Sequence, residues 1–434
     1  MKKRLIGWAL LSAMLAGLVG CGQTSTDQDA ANSDASQSSG SSDVITVAMW
    51  DSPQEPGFTE ILKKFTEETG IETRIEVTPW DQYWTMLEAA ATGGSMPDVF
   101  IMHSNEIAKY AENDMLLDLT DYISKSDKID MSKYPQDIVS LYQNEDGAQL
   151  GIPKDIDTVA LWYNKTMFDE AGLAYPDDTW TWEDVAAAAQ KLTKADGSQY
   201  GFAVSPDNDQ GGYYNIIYDY GGYVLSDDQQ TSGFDQPGTI EGLTVLMDME
   251  KNGYMPPYTT LVENGDCTLF MSGQVAMTLQ GSWKVNDLTN NEYVKENCDV
   301  VIKPMGPNNV RTTIYNGVAW AAPANSSDPE TAWKVIEYLG SQEAQQMQSD
   351  LGVMMSAWEG TSDNWINAHP EFNLQAYLDV MDDTMVIFPH SRRTVNWANM
   401  IKEEIGAGFT GEKTPEETCK NIAEQMNQIL KETN

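Results

Sequence analysis

The sequence predicts an α/β protein of two lobes. About 390 residues follow a polar N-terminal stretch, and single cores stop growing at roughly 250–300 residues, so two lobes are expected. In the first hundred residues strand-type and helix-type periodicities alternate. That order gives a parallel sheet with helices on its faces.

The elements follow in order. "VITVAMW" (44–50) is a short apolar strand. Phe58, Ile61, Leu62 and Phe65 recur at i, i+3, i+4, i+7, the apolar stripe of a helix, and Gly70 is placed to cap it. "IETRIEV" (71–77) alternates with period two and reads as a strand. Trp80 to Ala91 reads as a second helix closed by Gly93-Gly94, and "DVFIM" (98–102) as a third strand. Ligands of such sheets bind beyond the C-terminal strand ends. Those ends carry Trp50-Asp51, Thr78-Pro79-Trp80 and His103-Ser104-Asn105. Further on, "VALWYN" (159–164), "QVAMTLQGSW" (274–283) and "YNGVAWAAP" (315–323) read as strands, and "DGSQYGFAV" as a turn into a strand. "TWEDVAAAAQKL" (181–192) is a helix with a Thr181/Asp184 capping box. "SPDNDQGGYYN" is a Gly- and Tyr-rich loop of binding-surface composition, "DPETAWKVIEYLG" a capped helix, and the remainder to Asn434 mostly helical.

The N-terminus reads as an export signal. Lys2, Lys3 and Arg4 precede an uncharged apolar run, Leu5 to Val19, too short for the roughly 20 residues of a membrane span. Leu18-Val19-Gly20-Cys21 resembles the lipobox of bacterial lipoproteins, which implies lipidation of Cys21 and removal of residues 1–20 as the signal peptide. Residues 21–42 hold alanine as their only apolar type after the cysteine, a composition expected to stay a disordered tether. The implied address is the outer face of the cell membrane.

Composition narrows the function. Lys and Arg total 26 against 66 Asp and Glu, for a net charge of −40, which excludes nucleic acid as a partner. The three histidines (His103, His369, His390) are far apart in sequence, so no metal site is expected. No phosphate loop, nucleophile elbow or HExxH motif occurs, so neither a cofactor nor a catalytic role is expected. Cys267, Cys298 and Cys419 cannot all pair, and which of them form a disulfide stays open. Trp and Tyr (13 and 19) outnumber Phe (10), a bias suited to core packing and also to stacking flat polar ligands such as sugars.

Seven stretches, in order, carry a family resemblance: "FTEILKKFTEETGIETRIEV", "AATGGSMPDVF", "GIPKDIDTVALWYNKTMFDEAGL", "PDDTWTWEDV", "FMSGQVAMTLQGSW", "NGVAWAAPANSSDPETAWKVIEYL" and "GFTGEKTPEE". They span nearly the whole mature chain, which resembles the extracellular solute-binding proteins of ABC sugar importers, the group that includes maltose-binding protein. The resemblance implies a periplasmic-binding-protein-like fold, with hinge crossovers and a ligand cleft between discontinuous lobes. The first lobe is expected at 43–154 plus 299–328 and the second at 155–298 plus 329–434. It also implies a monomer that captures a carbohydrate, an oligosaccharide above all, by lobe closure and delivers it to ABC permease subunits. The same fold holding a polyamine or peptide is the alternative, and a secreted glycosidase the remoter one.

Site residues carried over from the resemblance are Trp283 as a stacking platform, Trp397 near a second one, and Asp157 as a hinge carboxylate, with Asp155 as its alternative. Asn105 stands where maltose-binding protein has an acidic ligand residue and Met102 where it has tryptophan, so maltose itself is in doubt. Trp50, Asp51, Trp80, Tyr83, His103, Asp209, Tyr213, Asn316 and Trp358 are further candidates for lining the cleft. Arg392, in a rare basic pair with Arg393, is a candidate for a forked contact to hydroxyls; the competing role is a salt bridge.

Overall fold

The computed structural model describes residues 44–206 and 209–432. The expected signal peptide (1–20) and tether (21–42), with Cys21, lie outside the described residues. Two sheets organise the rest. The first has five strands in the order β2-β1-β3-β9-β4: β1 Ile45–Met49, β2 Thr73–Val77, β3 Val99–Met102, β4 Ile152–Pro153 and β9 Ala319–Ala321. β1 pairs in parallel with β2 and β3, while β9 runs antiparallel to β3 and β4. The second sheet has three antiparallel strands in the order β6-β5-β7: β5 Val159–Asn164, β6 Met277–Gly281 and β7 Cys298–Ile302. A parallel pair stands beside it, β8 Thr312–Tyr315 with β10 Thr384–Ile387.

Local sequence accounts for most elements. The helix Glu55–Thr69 buries Phe58, Ile61, Leu62 and Phe65, and Gly70 ends it at φ 72°, a left-handed value that costs glycine little. Thr181 and Asp184 form the expected capping box on the helix Trp182–Leu192. Every residue of β5 is buried, so "VALWYN" reads as an unbroken apolar run and not as an alternation. "DGSQYGFAV" forms no strand; Tyr200 and Ala203 make only isolated bridges to Val275 and Thr278.

The division into lobes departs from expectation in two places. β7 pairs with β5, and β8 with β10, so the chain between 299 and 315 belongs with the second lobe. The first lobe resumes only at β9. The helices Pro329–Gly340 and Gln342–Asp350 pack on the first-lobe helix Glu55–Thr69, and the former also on β3, β4 and β9. Phe65 meets Tyr338 and Tyr122 stacks on Trp333. Both helices therefore complete the first lobe. Long-range pairing sets these memberships, and local periodicity carries none of it.

Three passages connect the lobes: two antiparallel segments, 153–159 outward and 315–319 back, and the chain between the helix Gln342–Asp350 and β10, where Ser356 bridges Asp155. Asp157 and Asn316 exchange backbone hydrogen bonds at 2.9 and 3.3 Å, and Lys154 N donates to Val318 O at 2.8 Å. The segments approach so closely that a Cβ on Gly317 would lie 2.2 Å from Asp155 O. In the second lobe, Asp219 accepts from Lys303 Nζ at 2.7 and 2.8 Å, Trp182 Nε1 at 2.8 Å and Thr312 N at 2.7 Å, all out of contact with water. That carboxylate ties β7 to β8 just before the return crossing. Lys303→Met leaves it buried without its cation and is expected to lower unfolding stability by about 3–5 kcal/mol, measurable by urea denaturation.

Candidate functional site

A cleft of about 770 Å³ opens at the crossing segments, lined from both lobes. The first lobe contributes the C-terminal strand ends and the turns behind them: Trp50 and Asp51 after β1, Trp80 at a helix start, and His103, Asn105 and Glu106 after β3. Lys154, Asp155 and Asp157 come from the outgoing crossing segment. The second lobe supplies Asp209 and Gln210, then Trp283, Lys284 and Asp287 after β6, and Phe388 after β10.

From Asp155 to Asp157 the crossing segment turns alternate side chains to opposite sides, the period of two of extended backbone, while Lys154 reaches the cleft beside Asp155. Asp155 and Asp157 face the cleft, whereas Ile156 faces a second cavity of about 640 Å³ behind it. Trp358 lines that rear cavity, edge-on to Tyr134 at 5.4 Å, and not the cleft.

The first-lobe wall is aromatic. Trp50 meets Trp80 at 4.9 Å and Trp84 at 5.6 Å, and Trp80 meets His103 at 5.3 Å, mostly edge to face, the arrangement that ring quadrupoles favour. Trp80 keeps 38% of its surface exposed, leaving ring area for a ligand. Tyr83 is buried beneath, its ring 5.1 Å from Trp50 and its hydroxyl donating to Ile101 O at 2.8 Å. It supports Trp50 and does not line the cleft.

Trp283 lines the same cleft from the second lobe. Its indole folds back over the end of β6, where a Cβ on Gly281 would lie 2.1 Å from the ring, so only glycine leaves room. Trp397 behaves differently. On the helix Thr394–Phe409 the cleft-lining residues are Val395, Ala398, Asn399 and Lys402, an i, i+3, i+4, i+7 stripe. Trp397 falls off that stripe and is fully buried, Nε1 donating to Ser391 Oγ at 2.9 Å. It is a core residue.

Three other expected residues also lie off the lining. Tyr213 is buried, edge-on to Tyr214 at 5.0 Å. Asn316 is buried behind the floor, its Nδ2 within 3.3 Å of both Gln210 Oε1 and His103 Nε2. Arg392 pairs with Glu112 at 3.3 Å and Glu145 at 2.7 Å, two first-lobe carboxylates, so it ties the lobes together.

The electrostatics of the lining are acidic. Burial pushes the Asp51 carboxyl up to about 6, and burial reinforced by the Asp155 charge pushes Asp157 up to about 8. Burial lowers His103 to about 4, so its ring is neutral at pH 7. Lys154 is buried and already held by Asp155 at 2.6 Å and Gln54 at 2.9 Å, and Lys284 pairs with Asp287 at 3.2 Å.

Sequence reasoning missed Gln54, Trp84, Lys154, Gln210, Lys284, Asp287, Phe388, Asn399 and Lys402 as lining residues. Two signals were available: Lys284 follows Trp283, and the helical stripe through 395 was readable. Gln210 lies in the "SPDNDQGGYYN" loop that composition marks as a whole, and nothing local marks Phe388.

With the geometry described, the relatives fall into place. The profile of the bacterial extracellular solute-binding protein family matches residues 50–346. The chain belongs to that family. The galactooligosaccharide-binding protein of Bacillus subtilis is 26% identical over 302 residues, covering 67% of this chain and 66% of its own. Among solved structures, the ABC substrate-binding protein Lmo0181 of Listeria monocytogenes, in complex with cycloalternan, superposes with a TM-score of 0.81 at 25% identity, covering 88% of this chain and 98% of its own. Maltose-bound MalE3 of T. maritima shares the fold with a TM-score of 0.74 at 20% identity, covering 89% and 99%. Among the described residues, no helix is long and apolar enough to cross a membrane.

Removing a buried Trp from a close-packed core costs about 3–5 kcal/mol. Trp397→Ala is expected to lose that much in denaturant unfolding; a loss of binding at undiminished stability would return Trp397 to the site.

Proposed function

We propose that this chain captures an oligosaccharide in the cleft by lobe closure and presents it to ABC permease subunits. The observation that carries this reading is that tryptophans of both lobes, Trp50 and Trp80 from the first and Trp283 from the second, line one cleft together with carboxylates and an amide. A sugar ring has apolar faces and a hydroxyl rim. Indoles cover the faces, while Asp51, Asp155 or Asp157, Asp209 and Asn105 accept from the hydroxyls. No bond is made or broken in this role. The ligands named for the relatives, galactooligosaccharide, cycloalternan and maltose, agree in class.

A second reading has its own support. Seven carboxylates line the cleft against three lysines, and two of the lysines are already paired, a balance that also suits a cationic solute such as a polyamine.

Thermal melting against maltotriose, a galactooligosaccharide, glucose, spermidine and a tripeptide separates the two. A ligand at 100 times its Kd adds about 2.7 kcal/mol of stability. A shift with an oligosaccharide, lost in Trp283→Ala while the variant's own melting barely moves, is the expected result. A shift with spermidine alone would keep the cleft and overturn the sugar.

The body is held at the membrane by lipid on Cys21 and acts as a monomer in this proposal. Cys21→Ser is expected to release the protein from the membrane fraction with its ligand affinity unchanged. Retention of that variant would sink the anchor.

A further inference from the structure

Four polar groups form a line across the cleft floor from one lobe to the other. They are His103 after β3, Asn316 on the returning segment, Gln210 in the loop of the second lobe, and Asp157 on the outgoing segment. Asn316, Gln210 and Asp157 are buried. Asn316 Nδ2 is 3.3 Å from His103 Nε2 and from Gln210 Oε1, and Gln210 Nε2 is 2.6 Å from Asp157 Oδ1.

Proton counting tests whether these contacts can coexist. The Asn105 backbone N–H points at His103 Nδ1 from 3.1 Å, so Nδ1 accepts. Neutral imidazole has one N–H, which must then sit on Nε2. That donor faces the Asn316 Nδ2 amino group, itself a donor, while Asn316 Oδ1 is buried without a partner. An amide's oxygen and nitrogen are alike in shape, and only the bonding network assigns them. Exchanging them in Asn316 turns Oδ1 toward His103 Nε2–H and toward Gln210. Gln210 must then donate Nε2–H to Asn316 and offer Oε1 to Asp157. A carboxylate has nothing to donate, so the chain closes only through a carboxylic acid. The 2.6 Å separation lies within the usual O–H···O range of about 2.5–3.0 Å.

We propose that Asp157 binds a proton at neutral pH, and that this proton orders a hydrogen-bond chain, Asp157 to Gln210 to Asn316 with His103 donating from the far end, that joins the two lobes beneath the ligand. Gln210 and Asn316 act as positioning residues: they aim the acid and leave Asp157 Oδ2 for the cleft. The surroundings favour the neutral acid. Asp155 lies two residues away, and Asp209 and Asp51 line the same cleft. Lys154, the neighbouring cation, is engaged by Asp155 and Gln54, and the Tyr142 hydroxyl is spent on Gly317 O at 2.7 Å. Burial and the Asp155 charge act in the same direction on the acid. A solute that requires the carboxylate form must expel this proton, so its capture strengthens as pH rises toward 8.

The test needs no ligand. Carbon-13 NMR of the full chain, labelled at aspartate Cγ, is titrated from pH 5 to 10, with Asp157→Asn assigning the line. A midpoint near 8 is expected, and one below 7 overturns the proposal. In Asn316→Leu the chain is cut and Gln210 can turn its amino group to the carboxylate. The Asp157 midpoint should then fall, and an unchanged midpoint would overturn the chain. Melting provides a check independent of assignment. Because the raised acid holds a proton that the unfolded chain releases near pH 4, wild type should lose stability relative to Asp157→Asn from pH 5 to 8 and level off above. A constant difference across that range counts against the proposal. Should Asp157→Asn not fold, the line displaced in Asn316→Leu identifies Asp157 and its wild-type midpoint decides.

Discussion

Everything in this molecule hangs on two antiparallel segments that cross between the sheets, with a third passage, 355–356, bonded to the outgoing one. A chain leaving a sheet must still satisfy its backbone polar groups, and here each crossing does so with the other. Side chains complete the arrangement. Gln345 and Gln348 both donate to Lys154 O at 3.0 Å, and Asp155 Oδ1 accepts from Val318 N at 2.8 Å. The buried Lys154–Asp155 pair therefore serves the hinge as much as the cleft. One end of the outgoing segment is pinned in the five-stranded sheet through β4 and the other in the three-stranded sheet through β5.

That constraint shapes the site. An extended segment at the junction must turn alternate residues to opposite sides, so two carboxylates reach the cleft and Ile156 backs them. The strand ends of the first lobe then bring tryptophans to one wall, and the turn after β6 brings Trp283 to the other. The ligand surface is assembled from segments of both lobes. The polar line from His103 to Asp157, the Arg392 ion pairs, the Tyr315 hydroxyl on Asp137 and the edge contact of His103 with Phe388 are among the elements that span the gap.

Stability and recognition use different tryptophans. Trp162, Trp182, Trp320, Trp365 and Trp397 are fully buried, and most of their polar atoms are spent inside: Trp162 Nε1 on the Tyr377 hydroxyl, Trp182 Nε1 on Asp219. Trp50, Trp80 and Trp283 keep ring area open to the cleft. The excess of Trp and Tyr over Phe thus has two causes at once, and composition cannot apportion them.

The sequence by itself determined the local elements. Phe58, Ile61, Leu62 and Phe65 share a helix face because helical spacing puts them there, Gly70 ends that helix, and the strand ends present Trp50, Asp51, Trp80 and His103 as expected. These features depend on neighbours a few residues away. The tertiary structure alone decided which lobe owns 299–315 and 329–350, because those segments choose partners far along the chain: β8 pairs with β10, β7 with β5, and the helices pack on Glu55–Thr69. It decided that Trp397 is core while Val395 faces the cleft, since the direction of a helix face is set by what the helix packs against. It likewise assigned Arg392 to Glu112 and Glu145, and set Gln210 against Asp157 and Asn316. Such polar partnerships carry no sequence period: they form only where separate segments meet out of water.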